Sequence, residues 1–209
     1  DNKPITFTAG SSSITQEVKI GQDLNSWYLP KWLGVNPENG DPMWEKLIRD
    51  VDGNIIEQGG STNVFNEAGA QVVGKATPKF VGGFTNTLSY KGISLYFAGS
   101  FVYGNSVYHR DRESYDADGA YLGYNMMRLQ DGWSRWEKAG DIATHPKPVM
   151  NGNKHSNRTS SRYLEDGSFL RIKNISLSYD IPKNIINKAK LSSCKVYLSG
   201  DNMFTFTKF

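Results

Sequence analysis

The run from Gly167 to Pro182, GSFLRIKNISLSYDIP, decides how the chain folds. Ile175, Leu177, Tyr179 and Ile181 fall on one side of an extended chain, and Ser176, Ser178 and Asp180 fall on the other. A period of two describes a strand with one apolar and one polar face. Such a face can pack into a soluble core or meet hydrocarbon, and this pattern alone fits both. Leu170 and Ile172 stand in the opposite phase to Ile175 and Leu177. A β-bulge near Lys173-Asn174 would bring both halves onto one face.

The same alternation recurs on either side. Phe84, Leu88 and Tyr90 oppose Thr85, Thr87 and Ser89; Ile93, Leu95, Phe97, Phe101 and Tyr103 then share a face, with Lys91-Gly92 between as a tight turn. Two strands and a two-residue turn make a hairpin. Downstream, Val196, Leu198, Phe204 and Phe206 keep one phase. Between these strands Pro182 can open a single helical turn with Ile185, Ile186 and Ala189 on one side.

From Gly104 to about Ser161 no period is sustained, and Gly, Asn, Asp, Pro and charge dominate. The connections are thus a tight turn, a very long excursion and a stretch of about a dozen residues. Compact soluble domains rarely carry so long a loop. Outer-membrane barrels alternate short turns with long extracellular loops. Tyr90, Tyr103 and Tyr179 sit at strand ends, where they suit either an interfacial aromatic girdle or the cap of a soluble sheet. The first third carries turn signals at Asn36-Pro37, Asn39-Gly40 and Asp41-Pro42 among Trp27, Trp32 and Trp44, and reads as short strands and loops. Asp50 to Asn54 is similar to a calcium loop but lacks its later acidic ligands, so a plain turn is expected.

Bulk properties narrow the partners. Over 209 residues, 24 Lys and Arg against 21 Asp and Glu, without a polybasic run, argue against nucleic acid. Cys194 stands alone, which excludes an internal disulfide and a CxxC site, and reads as an inert thiol. No long apolar run forms a membrane helix, but barrel strands need only about 9 to 11 alternating residues. The opening residues show no basic segment followed by an apolar one, so no signal peptide is read there.

No catalytic set, metal site or cofactor site emerges. His109, His145 and His155 all fall in the long excursion without a partner signature and read as surface residues. Glu165 and Asp166 are adjacent, so on an extended chain they face opposite sides; a turn before Gly167 is expected of them. Trp133 and Trp136, flanking Arg135, are the candidates for ligand or partner contact, because indole faces suit sugar stacking or a protein interface. The competing reading is that they pack beneath the excursion and hold its shape.

Four segments in order resemble the C-terminal part of SusC/RagA-type TonB-linked outer-membrane proteins of Bacteroidetes. These are IGQDLNSWYLPKWLGVNPENGDPMW (20–44), ATPKFVGGFTNTLSYKGISLYFAGSFVYGN (76–105), RWEKAGDIATHPKP (135–148), and SSRYLEDGSFLRIKNISLSYDIP (160–182) with KVYLSGDNMFTFTKF (195–209). The resemblance implies an all-β fold: antiparallel strands of a large transmembrane β-barrel, incomplete here, with long extracellular loops. It divides the chain into strands and loops at 1–75, a hairpin at 76–104, an extracellular loop at 105–160 and a C-terminal hairpin at 161–209. It further implies import of glycans or peptides across the Gram-negative outer membrane, with a SusD-like surface lipoprotein as partner and TonB engaged through N-terminal parts not found in this sequence. The alternatives are a soluble carbohydrate-binding β-sandwich, in which the apolar faces pack on one another, and a secreted hydrolase, for which no acid-base pair can be named.

Overall fold

The computed structural model describes residues 5–8 and 14–208; most of the opening segment and the side chain of Ala189 lie outside the described residues. The chain forms two compact units, one from Asp1–Thr77 with Ser106–Glu165, the other from Pro78–Asn105 with Asp166–Phe209.

The first unit opens with short strands β1 (Ile5–Thr8), β2 (Thr15–Val18), β3 (Ser26–Pro30), β4 (Trp32–Val35), β5 (Pro42–Arg49), β6 (Ile55–Thr62) and β7 (Ala70–Lys75). They form two antiparallel sheets, ordered β1-β2-β3-β7 and β4-β5-β6. Ile14, Trp27 and Leu29 are buried together, with Val73, Tyr108 and Leu164 packed on them. The Trp27 indole N–H donates to the Ser106 carbonyl at 3.0 Å, so this core already holds the long excursion. In the other sheet Trp44 is fully buried, edge-on to Trp32 and Phe65. Asp50 makes the plain turn expected of it, its Oδ1 accepting the backbone N–H of Asp52 and Asn54.

The second unit is one four-stranded antiparallel sheet. Its strands are β8 (Phe80–Tyr90) and β9 (Ile93–Tyr103), then, after the excursion with its short β10 (Ser106–Tyr108) and β11 (Leu164–Asp166), β12 (Phe169–Asp180) and β13 (Lys195–Thr207). The order is β13-β12-β9-β8, so β8 and β13 are its edges. Lys91 and Gly92 both have positive φ, 47° and 86°, the mirror-image turn that suits a two-residue hairpin. The bulge falls where the phase break demands it: β12 shifts register between Ile172 and Asn174 against both neighbours. Leu170, Ile172, Ile175 and Leu177 thereby share one face. After β12 a single helical turn, α2 (Lys183–Ile186), follows Pro182, and a one-turn helix α1 (Arg112–Tyr115) lies within the excursion.

Candidate functional site

Two surfaces carry the chemistry, one in each unit. In the sheet, cross-strand register sorts residues by polarity. One face carries the rows Leu88-Leu95-Leu177-Leu198, Tyr90-Ile93-Tyr179-Val196 and Phe84-Gly99-Ile172-Phe204. The other carries Thr87-Tyr96-Ser176-Ser199 and Thr85-Ala98-Asn174-Asp201, with Asn174 donating to the Asp201 carboxylate at 2.7 Å. Phenylalanine rings lie over the glycines of neighbouring strands: a Cβ on Gly82 would come within 2.5 Å of Phe101, and one on Gly99 would collide with Phe84. The apolar face is therefore continuous, and it is uncovered. Leu198 is 76% exposed, Tyr90 70%, Phe206 59% and Leu88 57%. A soluble protein rarely leaves so many large apolar side chains contiguous and bare.

The first unit inverts that arrangement. Asp116 and Asp118 are fully buried, and three arginines, Arg112 from the preceding helical turn and Arg135 and Arg162 from further along the chain, close on them. Arg162 reaches Asp118 Oδ2 at 2.5 Å and Asp116 Oδ1 at 3.3 Å; Arg135 reaches Asp118 Oδ1 at 2.8 Å; Arg112 bridges Asp116 Oδ2 and Glu165 Oε1, each at 2.8 Å. Ser156 Oγ donates to Asp118 at 2.7 Å, and His145 Nε2 lies 3.1 Å from Asp116. Arginines 112, 135 and 162 thus balance carboxylates 116, 118 and 165, as burial of charge demands. Burial opposes the charge on Asp116, but the His145 hydrogen bond and the Arg162 guanidinium outweigh it and hold the carboxyl below the usual carboxylate range. Burial, followed by the hydrogen bond to Glu113, pushes the Tyr108 phenol well above its ordinary range.

The excursion is thus a folded element. Asp118 has φ 48° and Gly119 φ 88°, and this tight bend at Asp-Ala-Asp-Gly points both carboxylates inward. His145 corrects the sequence reading: it is 2% exposed, because the network supplies polar partners that a surface position would not need. His155 is exposed and His109 half-exposed. Asp166 makes the expected turn, its Oδ1 accepting the Ser168 N–H at 3.0 Å, while Glu165 serves the network.

All three candidate contact residues have partners within their own unit. The Trp133 ring lies 4.6 Å from the Arg112 guanidinium and 4.9 Å from His145. Arg135 is held by Asp118. Trp136 covers Gly40, where a Cβ would collide with its ring, and its N–H donates to the Pro37 carbonyl at 2.8 Å. The Asn36–Gly40 turn and the tryptophan pair were separate signals in the sequence; the structure joins them. The buried network itself left no comparable signal, since its residues are scattered over more than fifty positions and charge ordinarily marks a surface.

A chain with an uncovered apolar sheet in one unit and a densely paired polar network in the other invites comparison with known proteins. No family model matches it. It is 28% identical to TonB-dependent receptor P3 of Formosa agariphila over 217 residues, and 32% identical to TonB-dependent receptor P26 of the same organism over 195 residues. The chain is homologous to TonB-dependent receptors. The matches take in 93% and 91% of this chain and 19% of each relative, so the chain spans about a fifth of the length of these curated relatives. Among solved structures, the RagAB peptide transporter superposes with a TM-score of 0.72 over 98% of this chain and 21% of that one, at 23% identity. The RagAB importer in its open-open state gives a TM-score of 0.69. The resemblance read from the sequence is borne out, as is the all-β antiparallel fold, here an open sheet with two free edges.

Proposed function

We propose that this chain is part of a TonB-dependent outer-membrane transporter, in which β8, β9, β12 and β13 cross the bilayer with their apolar rows against lipid. The single observation that carries the reading is the uncovered Leu88-Leu95-Leu177-Leu198 row and its neighbours, which need hydrocarbon or a further layer of protein. Tyr90, Tyr103 and Tyr179 at the strand ends then sit at the headgroup level. The excursion from 105 to 160 is an extracellular loop, and its folded state suits a surface that must hold its shape against a SusD-like lipoprotein and a peptide or glycan cargo. Trp133, Arg135 and Trp136 serve that surface by positioning the loop. TonB engages other parts of the transporter.

The test places a single environment-sensitive fluorophore in the intact, membrane-inserted protein, with Cys194 replaced by Ser. A probe on Leu177→Cys should be quenched by brominated acyl chains, and one on Ser176→Cys should be quenched by aqueous iodide. Aqueous quenching at both positions would overturn the reading. So would a band near 23.4 kDa in soluble fractions of the host that boiling does not shift.

A further inference from the structure

We propose that a cleft in the first unit, walled by Tyr28, Phe65 and Tyr121, is a binding site for a zwitterionic ligand of short-peptide size, with Glu113 receiving an ammonium group and Arg158 a carboxylate. The cleft has a volume of about 600 Å³, within the usual range for small-molecule sites. Its walls combine aromatic faces with groups that orient a ligand, and Asn157 is among the latter.

The charges decide the ligand class. In the 116–118 network of this unit, carboxylates and guanidinium groups find one another even at full burial. Glu113 and Arg158 line the same cleft, yet neither has an ion-pair partner among the described residues. Glu113 is held in place without being neutralised: its Oε1 accepts hydrogen bonds from Tyr108 and, at 2.9 Å, from Thr159. Arg158 lies over the Phe65 ring at 5.3 Å, which fixes the guanidinium plane and leaves its N–H edges for a forked contact with a carboxylate. A neutral glycan would answer neither charge, and a polyanion would meet Glu113. A molecule carrying both an ammonium and a carboxylate, with apolar bulk between them for the aromatic walls, answers both. The inference deepens the transporter reading by naming a ligand class for its outer part, and so rests on it for biological purpose, though binding itself is measured without transport.

The experiment uses the intact receptor purified in detergent, with calorimetric titration of trialanine, N-acetyl-trialanine, trialanine amide and maltotriose. Trialanine is expected to bind saturably, and blocking either end should weaken binding at least tenfold. Arg158→Gln should erase the cost of amidation alone, Glu113→Gln the cost of acetylation alone, and Arg158→Lys should keep the preference for a free carboxylate. Because Arg158 is exposed and Glu113→Gln is isosteric, heat-shifted gel mobility should be unchanged in each variant. Absence of saturable trialanine binding would overturn the proposal, as would end-blocking penalties that persist in both variants. Binding of maltotriose that Arg158→Gln abolishes would do the same. Intact binding without uptake into cells would fault the transporter reading alone, and intact uptake with no end-blocking penalty would fault this inference alone.

Discussion

The two units place their side chains in opposite ways. In the β8-β9-β12-β13 sheet, leucines and phenylalanines stand bare, Leu198 at 76% exposure; in the other unit, Asp116 and Asp118 have no exposure at all. A soluble protein reverses both habits. The difference teaches that a residue's place follows from what it can pair with. Buried carboxylates are tolerated because three guanidinium groups meet them, and a bare leucine row is tolerated where hydrocarbon meets it.

The sharpest way to break this comparison is to remove one charge from the network. Arg162→Ala leaves two buried carboxylates short of a partner and should cost about 3–5 kcal/mol. Limited proteolysis of the intact receptor should then cut within 105–165 while the heat-shifted mobility of the barrel persists. If mobility is lost as well, the two units do not respond separately. The matching change in the sheet is Leu177→Arg, a charge on the face assigned to lipid, which should cost about 2–4 kcal/mol, whereas Ser176→Arg on the polar face should cost far less. Refolding yields into bilayers measure both, and equal losses would erase the distinction between faces.

A smaller effect is expected at Gly40, whose φ of 73° and contact with Trp136 leave no room for a side chain. Gly40→Ala should cost about 1–2 kcal/mol from its left-handed backbone, with more from the displaced indole. Tryptophan emission should shift to the red. The mildest perturbation is acid. Because Asp116 has a lowered pKa in the folded protein, its contribution is complete above the ordinary aspartate value of about 3.9 and is lost as pH falls through the lower folded value. Near-ultraviolet dichroism of the receptor should hold constant down to about pH 4 and decline below it. A decline centred near neutrality would assign the sensitivity to another group.

The sheet was legible in the sequence because alternation over eleven or more residues leaves little else to form, and because Lys91-Gly92 admits one kind of turn. Even the bulge was legible, since Ile172 and Ile175 cannot share a face without an inserted residue. The network was hidden for the opposite reason. Asp116, Arg135, His145 and Arg162 follow no period, each is polar, and only the fold brings them together. Asp-Ala-Asp-Gly lay within the excursion that showed no period, with no hint that both carboxylates point inward. Asn36 to Gly40 and Trp136 were each noticed alone, but a contact across almost a hundred residues has no local signature.

The balance of charge in that network has a bearing on descent. Arginines 112, 135 and 162 and carboxylates 116, 118 and 165 come from three stretches of chain, and loss of one leaves the charges of this largely buried cluster out of balance. Single changes there are costly, while concerted replacement by apolar residues of similar volume need not be. Inheritance should therefore treat the six as one character, kept whole or exchanged whole, while the leucine rows drift freely among apolar residues one position at a time.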